Sequence, residues 1–193
     1  MTVYTATCLF GLEGLLGAEI DALGAKRLET IDGRVTFEGD ELLCARANVN
    51  LRFAERVYVN LGSFPATTFD ELFEGAKALE WEQYISASDA FPVSGHSIKS
   101  KLFSVPDCQR ILKKAIATRL GQEYGGKVLP EDSGTVYKIE FFLFKDKATL
   151  MIETSGVALH NSGYRPETVT SPLRETLAAA LASFSRPREN VLF

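Results

Sequence analysis

Apolar and polar positions along the chain fall into strand and helix periods that divide it into two α/β halves. Val3, Tyr4, Thr5, Thr7, Leu9 and Phe10 give residues 2–10 the β-branched and aromatic character of a strand. Leu12, Leu15, Leu16, Ile20 and Leu23 then recur at helical spacing, and Gly24 suits the end of that helix. Residues 26–31 and 34–38 read as two short strands joined through Asp32-Gly33, a strong hairpin turn. Asp40 is placed to cap a second helix running to about Phe53, and residues 56–64 read as a further strand. The resulting β-α-β-β-α-β order is the ferredoxin-like arrangement, assigned to residues 1–65.

A second α/β unit begins near Pro65. Thr68-Phe69-Asp70-Glu71 has the spacing of a capping box, in which the Thr68 hydroxyl and the Glu71 carboxylate satisfy each other's free backbone N–H groups. Its helix reaches about Leu79, and a strand is expected over residues 90–99. Ser104 is placed to cap a long helix through about Gly121, with Asp107 at its third position. Residues 135–144 and 148–153 form two largely apolar strands paired across Lys145-Asp146-Lys147, a pattern that places them centrally in an antiparallel or mixed sheet. Residues 154–172 are turn-rich. Ser171-Pro172 is a helix start, and Leu173, Leu177, Ala180, Leu181 and Phe184 share one face of the helix it opens. Glu189 to Phe193 has the character of an opening buried strand, so the expectation is a chain cut inside a third domain. That last helix is expected to be frayed, exchanged between two copies of the chain, or docked on a surface that is not its own.

Composition changes this picture little. The 193 residues are 46% hydrophobic and 24% charged, ordinary values for a globular chain. No apolar run approaches the length that crosses a bilayer, and the N-terminus lacks the basic and apolar regions of a signal peptide. Cys8, Cys44 and Cys108 are far apart and form no C-x-x-C pair, which fits buried thiols in a reducing cytoplasm. His96 and His160 have no metal-ligand spacing, and no nucleophile motif or P-loop is present, so neither a metal site nor a catalytic residue is assigned. Gly11, Gly14 and Gly17 follow a strand and open a helix. Their spacing lacks the tight G-x-G of a dinucleotide loop, and close helix–strand packing is the reading preferred.

Charge is more informative by position than in total. The net charge is −4, yet residues 96–127 carry seven Lys or Arg against Asp107 and Glu123. In the long helix, Val105, Cys108, Ile111, Leu112, Ala115, Ile116 and Leu120 make an apolar face, and Arg110, Lys113 and Lys114 project from the opposite side. Lys99, Ser100, Lys101 and Ser104 lie just ahead, at a helix N-terminus whose free N–H groups and dipole favour an anion. Either a phosphate-binding surface or a solvated basic face accounts for this pattern.

These residues also carry a resemblance. Phe91-Pro92-Val93-Ser94-Gly95-His96-Ser97-Ile98-Lys99-Ser100, together with residues 104–116, resembles the THUMP domain of bacterial RNA methyltransferases. Residues 153–165 resemble the segment that closes that domain, residues 171–181 the first helix of the attached methyltransferase domain, and residues 10–16 the opening of its ferredoxin-like domain. The resemblance implies an α+β chain: a ferredoxin-like domain, a THUMP domain over residues 66–156, a linker over 157–170, and over 171–193 the start of a truncated Rossmann-like domain that uses S-adenosylmethionine. It implies that the first two domains bind and orient structured RNA, most specifically large-subunit ribosomal RNA methylated on a guanine N2. The implied RNA contacts are Lys99, Ser100, Lys101, Ser104, Arg110, Lys113 and Lys114, with His160, Tyr164 and Arg165 near the hinge. Tyr164 would stack on a base and Arg165 grip phosphate, or both would pack the domain junction. The cofactor loop and the Asn-Pro-Pro-aromatic motif of the family are not in this sequence, so the chain as given is expected neither to hold the cofactor nor to methylate. A THUMP module of a tRNA-modifying enzyme, and a protein-interaction module with no RNA role, are the alternatives.

Overall fold

Each predicted element can be compared with a computed structural model that describes residues 1–126, 128, 134–161 and 172–185. The chain forms two compact units, residues 1–59 with the described residues from 154 onward, and residues 60–153.

The first unit is built as the hydrophobic pattern predicts. Its elements are β1 (Thr2–Thr7), α1 (Glu13–Ala22), β2 (Lys26–Ile31), β3 (Arg34–Gly39), α2 (Glu41–Asn50) and the first part of β4 (Arg56–Pro65). The strand order is β2-β3-β1-β4, with every neighbouring pair antiparallel, which is ferredoxin-like. Alternation puts Tyr4, Ala6, Val35, Phe37, Val57 and Val59 in the core, where Leu16 and Ile20 of α1 and Leu43 and Ala47 of α2 are also buried. Each large apolar side chain so buried contributes about 1.5–3 kcal/mol. Asp40 caps α2 as expected, its Oδ1 accepting the Leu43 N–H at 2.7 Å. β1 stops at Thr7, not Phe10, because the chain must turn: Gly11 has φ +90° and the Leu12 N–H bonds back to the Leu9 carbonyl. Close packing does not account for the three glycines: a Cβ on Gly11 or Gly14 would face open space, and one on Gly17, within α1, would meet only the movable end of the Arg27 side chain.

The stretch from Thr154 packs on this unit through side chains. Ser155 Oγ accepts the Val57 N–H at 2.8 Å and donates to Asn48 Oδ1 at 2.7 Å, and Thr154 Oγ1 donates to the Val57 carbonyl at 2.8 Å. Helix α5 (Glu175–Ser185) begins later than Pro172. It is held by its Thr176 and Ala180 face, with the Thr176 hydroxyl donating to Glu55 Oε1 at 2.8 Å. Of the residues that periodicity puts on one face, Ala180 is buried, and Leu173, Leu181 and Phe184 are exposed. Helical spacing shows which residues share a face, and the Glu55 carboxylate fastens the helix at Thr176, beside that face. The Ser171 cap lies outside the described residues.

The second unit contains the rest of β4, α3 (Phe69–Lys77), a 3₁₀ turn at Trp81–Gln83, β5 (Val93–Ile98), α4 (Val105–Tyr124), β6 (Ile139–Phe144) and β7 (Lys147–Glu153). Its strand order is β4-β7-β6-β5, with β5 parallel to β6 and β6 antiparallel to β7. The apolar strands β6 and β7 are central, and the sheet is mixed. Phe141, Leu143, Leu150 and Ile152 form one buried face of it, and Leu112, Ala115, Ile116 and Leu120 of α4 are buried too. The capping box forms: Glu71 N–H donates to Thr68 Oγ1 at 3.2 Å and Glu71 Oε2 accepts the Thr68 N–H at 3.3 Å. Helix α4 runs past Gly121 and stops at Gly125, which takes the left-handed φ of +68°. A helical glycine costs only about 1 kcal/mol, and here the Tyr124 hydroxyl fastens the last turn by donating to the Ile85 carbonyl at 2.8 Å.

Glu13 ties two turns of the first unit together. Its Oε1 accepts the Gly33 N–H at 2.6 Å and its Oε2 the Gly11 N–H at 3.0 Å. Burial opposes its ionisation, but the amides of Gly33, Glu13 itself and Gly11 outweigh that and hold its carboxyl below the usual 4.5. The unfolded chain therefore takes up this proton first. The stabilisation is present above pH 4.5 and lost as pH falls through the lowered value. Replacing Glu13 by Gln is expected to shrink the loss of stability between neutral pH and about pH 3, read by urea unfolding. An unchanged acid loss would show that the two turns do not depend on this carboxylate.

Candidate nucleic-acid interface

The basic loop residues of the second unit are positioned by three loops that meet at one residue, Asp146. β5 ends at Ile98, and Lys99 takes the left-handed φ of +50°, uncommon for a residue with a Cβ. The hairpin between β6 and β7 turns through Lys145 and Asp146, with φ of +49° and +62°, a primed turn that matches strand twist. Asp146 Oδ1 accepts the Lys101 N–H at 2.7 Å, the Asp146 N–H donates to Ser100 Oγ at 3.0 Å, and the Asp146 carbonyl accepts the Ala66 N–H at 2.8 Å. Ser100 Oγ also donates to the Ile98 carbonyl at 3.1 Å, and the Lys145 N–H bonds the same carbonyl at 3.3 Å. The β5–α4 loop is thus laced to the hairpin tip. Lys99, Lys101, Lys145 and Lys147 are all exposed on it. Left-handed non-glycine residues cost roughly 1–3 kcal/mol each and cluster at functional sites.

The residues assigned to RNA contact divide into three groups. Lys99 and Lys101 stand on this laced loop, and Ser100 is its internal fastening, with its hydroxyl used twice. Ser104 occupies the N-cap of α4, but its hydroxyl donates to Asp107 Oδ2 at 2.6 Å and caps no amide, so the expected side-chain cap is absent. Asp107 competes for that hydroxyl because it sits three residues on, at charge-assisted distance. On the helix, Arg110 is exposed and pairs with Asp107 at 2.9 Å, an exposed pair worth little and easily exchanged for phosphate. Lys114 Nζ lies 5.8 Å from the centre of the Phe73 ring of α3. Lys113 is half-buried along its stem. His160 lies in the first unit, with its Nδ1 2.6 Å from Glu55 Oε2. Tyr164 and Arg165 lie outside the described residues, as does Lys127.

The structure redraws the basic island in two places. Arg119 leaves it: Nε donates to Glu82 Oε2 at 3.1 Å, a second nitrogen bonds Glu82 Oε1, and Glu123 is 3.4 Å away. Lys145 and Lys147 join it, although the sequence pattern placed them only in a hairpin turn. The signal available was two lysines flanking a turn aspartate. Acidic neighbours of the surface are already engaged, Asp146 by Lys101, Asp107 by Ser104 and Arg110, and Glu71 by Thr67 and Thr68. Amide and hydroxyl bonds from Thr67 hold the Glu71 carboxyl below its usual range, against some burial, with help from the Thr68 amide and the Lys101 charge.

Among the described residues no group of three or more His, Cys, Asp or Glu converges. Burial pushes the Cys8 thiol up to about 12, with the charges of Glu13 and Glu55 adding, and burial also raises Cys108. Both stay protonated and unreactive near neutral pH. Cys108 is buried, and Cys8 and Cys44 are only half-buried, less than the pattern suggested. Among the described residues no helix is long and apolar enough to cross a membrane.

Residues 4–58 match the RlmL ferredoxin-like domain, and residues 66–153 match the THUMP domain. YpsC of Bacillus subtilis, assigned as an RNA methyltransferase, is 45% identical over 188 residues, which is 96% of this chain and 49% of that protein. The ribosomal RNA large subunit methyltransferase K/L of Syntrophotalea carbinolica is 29% identical over 178 residues, 92% of this chain and 25% of that protein. Among solved structures, a predicted N6-adenine-specific DNA methylase from Listeria monocytogenes has a TM-score of 0.90 at 46% identity, covering 96% of this chain and 48% of that one. SMU.472, a methyltransferase by name and complexed with SAH, has a TM-score of 0.88 at 38% identity, covering 98% of this chain and 50% of that one. The chain therefore spans half or less of the length of each of these relatives. By these matches the chain carries an RlmL ferredoxin-like domain followed by a THUMP domain, in the company of relatives named RNA methyltransferases.

Proposed function

We propose that this chain binds and orients structured RNA for an S-adenosylmethionine-dependent methyltransferase, with large-subunit ribosomal RNA as the substrate and a guanine N2 as the methyl acceptor. The observation that carries the RNA role is the presentation of Lys99, Lys101, Lys145 and Lys147 on two loops fixed by Asp146, beside Arg110, Lys113 and Lys114 on α4. Cations on a rigid frame select the phosphate spacing of a folded strand. The match to the THUMP domain and the names of the relatives support the same reading, and the ribosomal target is supported by the name of the Syntrophotalea protein. The guanine N2 rests on the resemblance alone. Methyl transfer and the cofactor belong in this reading to the part of the relatives that this chain does not span, and SMU.472 carries SAH. An RNA substrate of this kind places the protein in the cytoplasm.

Binding to a ribosomal RNA helix fragment is expected to weaken steeply with salt, because phosphate contacts release counterions. The double substitution Lys113→Ala with Lys114→Ala should lower affinity for every RNA tested and reduce the salt slope by about one unit per lysine. Unchanged binding would remove the helix face from the interface, and tighter binding to tRNA than to the ribosomal fragment would favour a tRNA-modifying role. Arg119→Ala serves as the contrast. It should lower the urea midpoint, since it breaks the ties to Glu82 and Glu123, and leave RNA affinity as it is. Weaker RNA binding by that variant would bring Arg119 into the interface.

A further inference from the structure

The laced loop presents an aromatic ring as well as cations. Phe103 is 82% exposed, between Leu102, which is 7% exposed, and the N-cap Ser104. Leu102 fills the packing position at the start of α4, with its carbonyl accepting from Ser97 Oγ at 2.6 Å, and the next side chain is turned outward. Phe10 offers a comparison. It is nearly as exposed, at 80%, yet its ring edge lies 3.3 Å from the Cβ position of Gly33 and covers the β2–β3 turn. An isolated exposed apolar residue is ordinary. Phe103 differs in its setting, two residues from Lys101 and four from Lys99, on a backbone tied to the hairpin that carries Lys145 and Lys147.

Rigid aromatic rings interleaved with lysines are the equipment of single-stranded nucleic-acid sites, where a base stacks on the ring and cations track the phosphates. A paired base in a helix hides both faces from such a ring, so the ring distinguishes unpaired from paired RNA. The acidic groups nearby do not oppose phosphate strongly. Asp146 faces inward to the Lys101 amide, and Asp107 is occupied by Ser104 and Arg110.

We propose that Phe103 stacks on an unpaired base of the bound RNA while Lys99, Lys101, Lys145 and Lys147 hold the adjoining phosphates. The ligand this surface prefers is then an RNA helix with an unpaired nucleotide beside it, and α4 supplies the contacts to the paired part. This inference rests on the RNA-binding reading above.

The test compares one hairpin RNA with a blunt end and the same hairpin with a short unpaired extension carrying 2-aminopurine. Phe103→Ala is expected to weaken binding of the extended RNA roughly five- to tenfold, leaving the blunt hairpin unchanged. The 2-aminopurine fluorescence should be quenched by the wild-type chain, unquenched by Phe103→Ala and quenched again by Phe103→Trp. Because Phe103 is exposed, these variants should keep the fold, which the thermal unfolding midpoint verifies. Equal affinity of wild type and Phe103→Ala for the extended RNA would overturn the stacking site. The pair Lys99→Ala with Lys101→Ala separates the two levels. Weakened binding of both RNAs by that pair, with Phe103→Ala unchanged, withdraws the stacking site alone. Both RNAs bound as by wild type would remove these lysines from the RNA contact and the stacking site with them.

Discussion

The candidate interface depends on how one aspartate is used. Asp146 joins three segments that are far apart in sequence, through its carboxylate to Lys101, its amide to Ser100 and its carbonyl to Ala66. Each bond alone is worth about 1 kcal/mol net, but together they hold the β5–α4 loop, the β6–β7 turn and the start of the β4–α3 connection in one arrangement. That arrangement lets left-handed lysines persist at Lys99 and Lys145. Fixing long cationic side chains at their roots reduces the entropy lost when they grip phosphate.

Behind this end lies an ordinary core. The apolar face of α4 is buried along with Phe141, Leu143 and Leu150 of the sheet, so the helix cannot roll and its basic face keeps its direction. The same packing explains why a chain of net charge −4 can present a local positive surface. The acidic residues around it are paired into the scaffold: Glu82 with Arg119, Asp107 with Ser104 and Arg110, Glu71 with the Thr67–Thr68 cap. Charge that stabilises the fold is separated from charge left free to bind, and only the second kind bears on RNA.

Local features were legible in the sequence, and distant ones were not. The Thr68–Glu71 capping box, the Asp40 cap and the Asp32-Gly33 hairpin involve residues within a few positions of one another, and all formed where the spacing put them. The ferredoxin-like order came from strand character, helical spacing and the turn and cap residues together. Gly121 misled because glycine within a helix and glycine at its end look alike in sequence, and only the fit of Tyr124 against Ile85 shows that the helix continues. Arg119 counted towards the basic stretch of residues 96–127 because nothing in the sequence showed that its partner is Glu82, 37 positions away. Lys145 and Lys147 looked like turn residues because the bonds that bring them to Lys101 span 45 and 46 positions. In α5 the pattern gave a common face that includes Ala180, Leu181 and Phe184 but no information about Glu55, which holds Thr176 at the edge of that face.

Amide hydrogen exchange with and without bound ribosomal RNA tests the central claim most directly, that the end of the second unit organised by Asp146 is the RNA surface. Protection on binding should appear at residues 98–104, the first turn of α4 and residues 145–147, and be absent from the 3₁₀ turn at Trp81–Gln83 and from the region around Arg119. Protection confined to the first unit, with residues 98–104 and 145–147 exchanging as in the free protein, would contradict it.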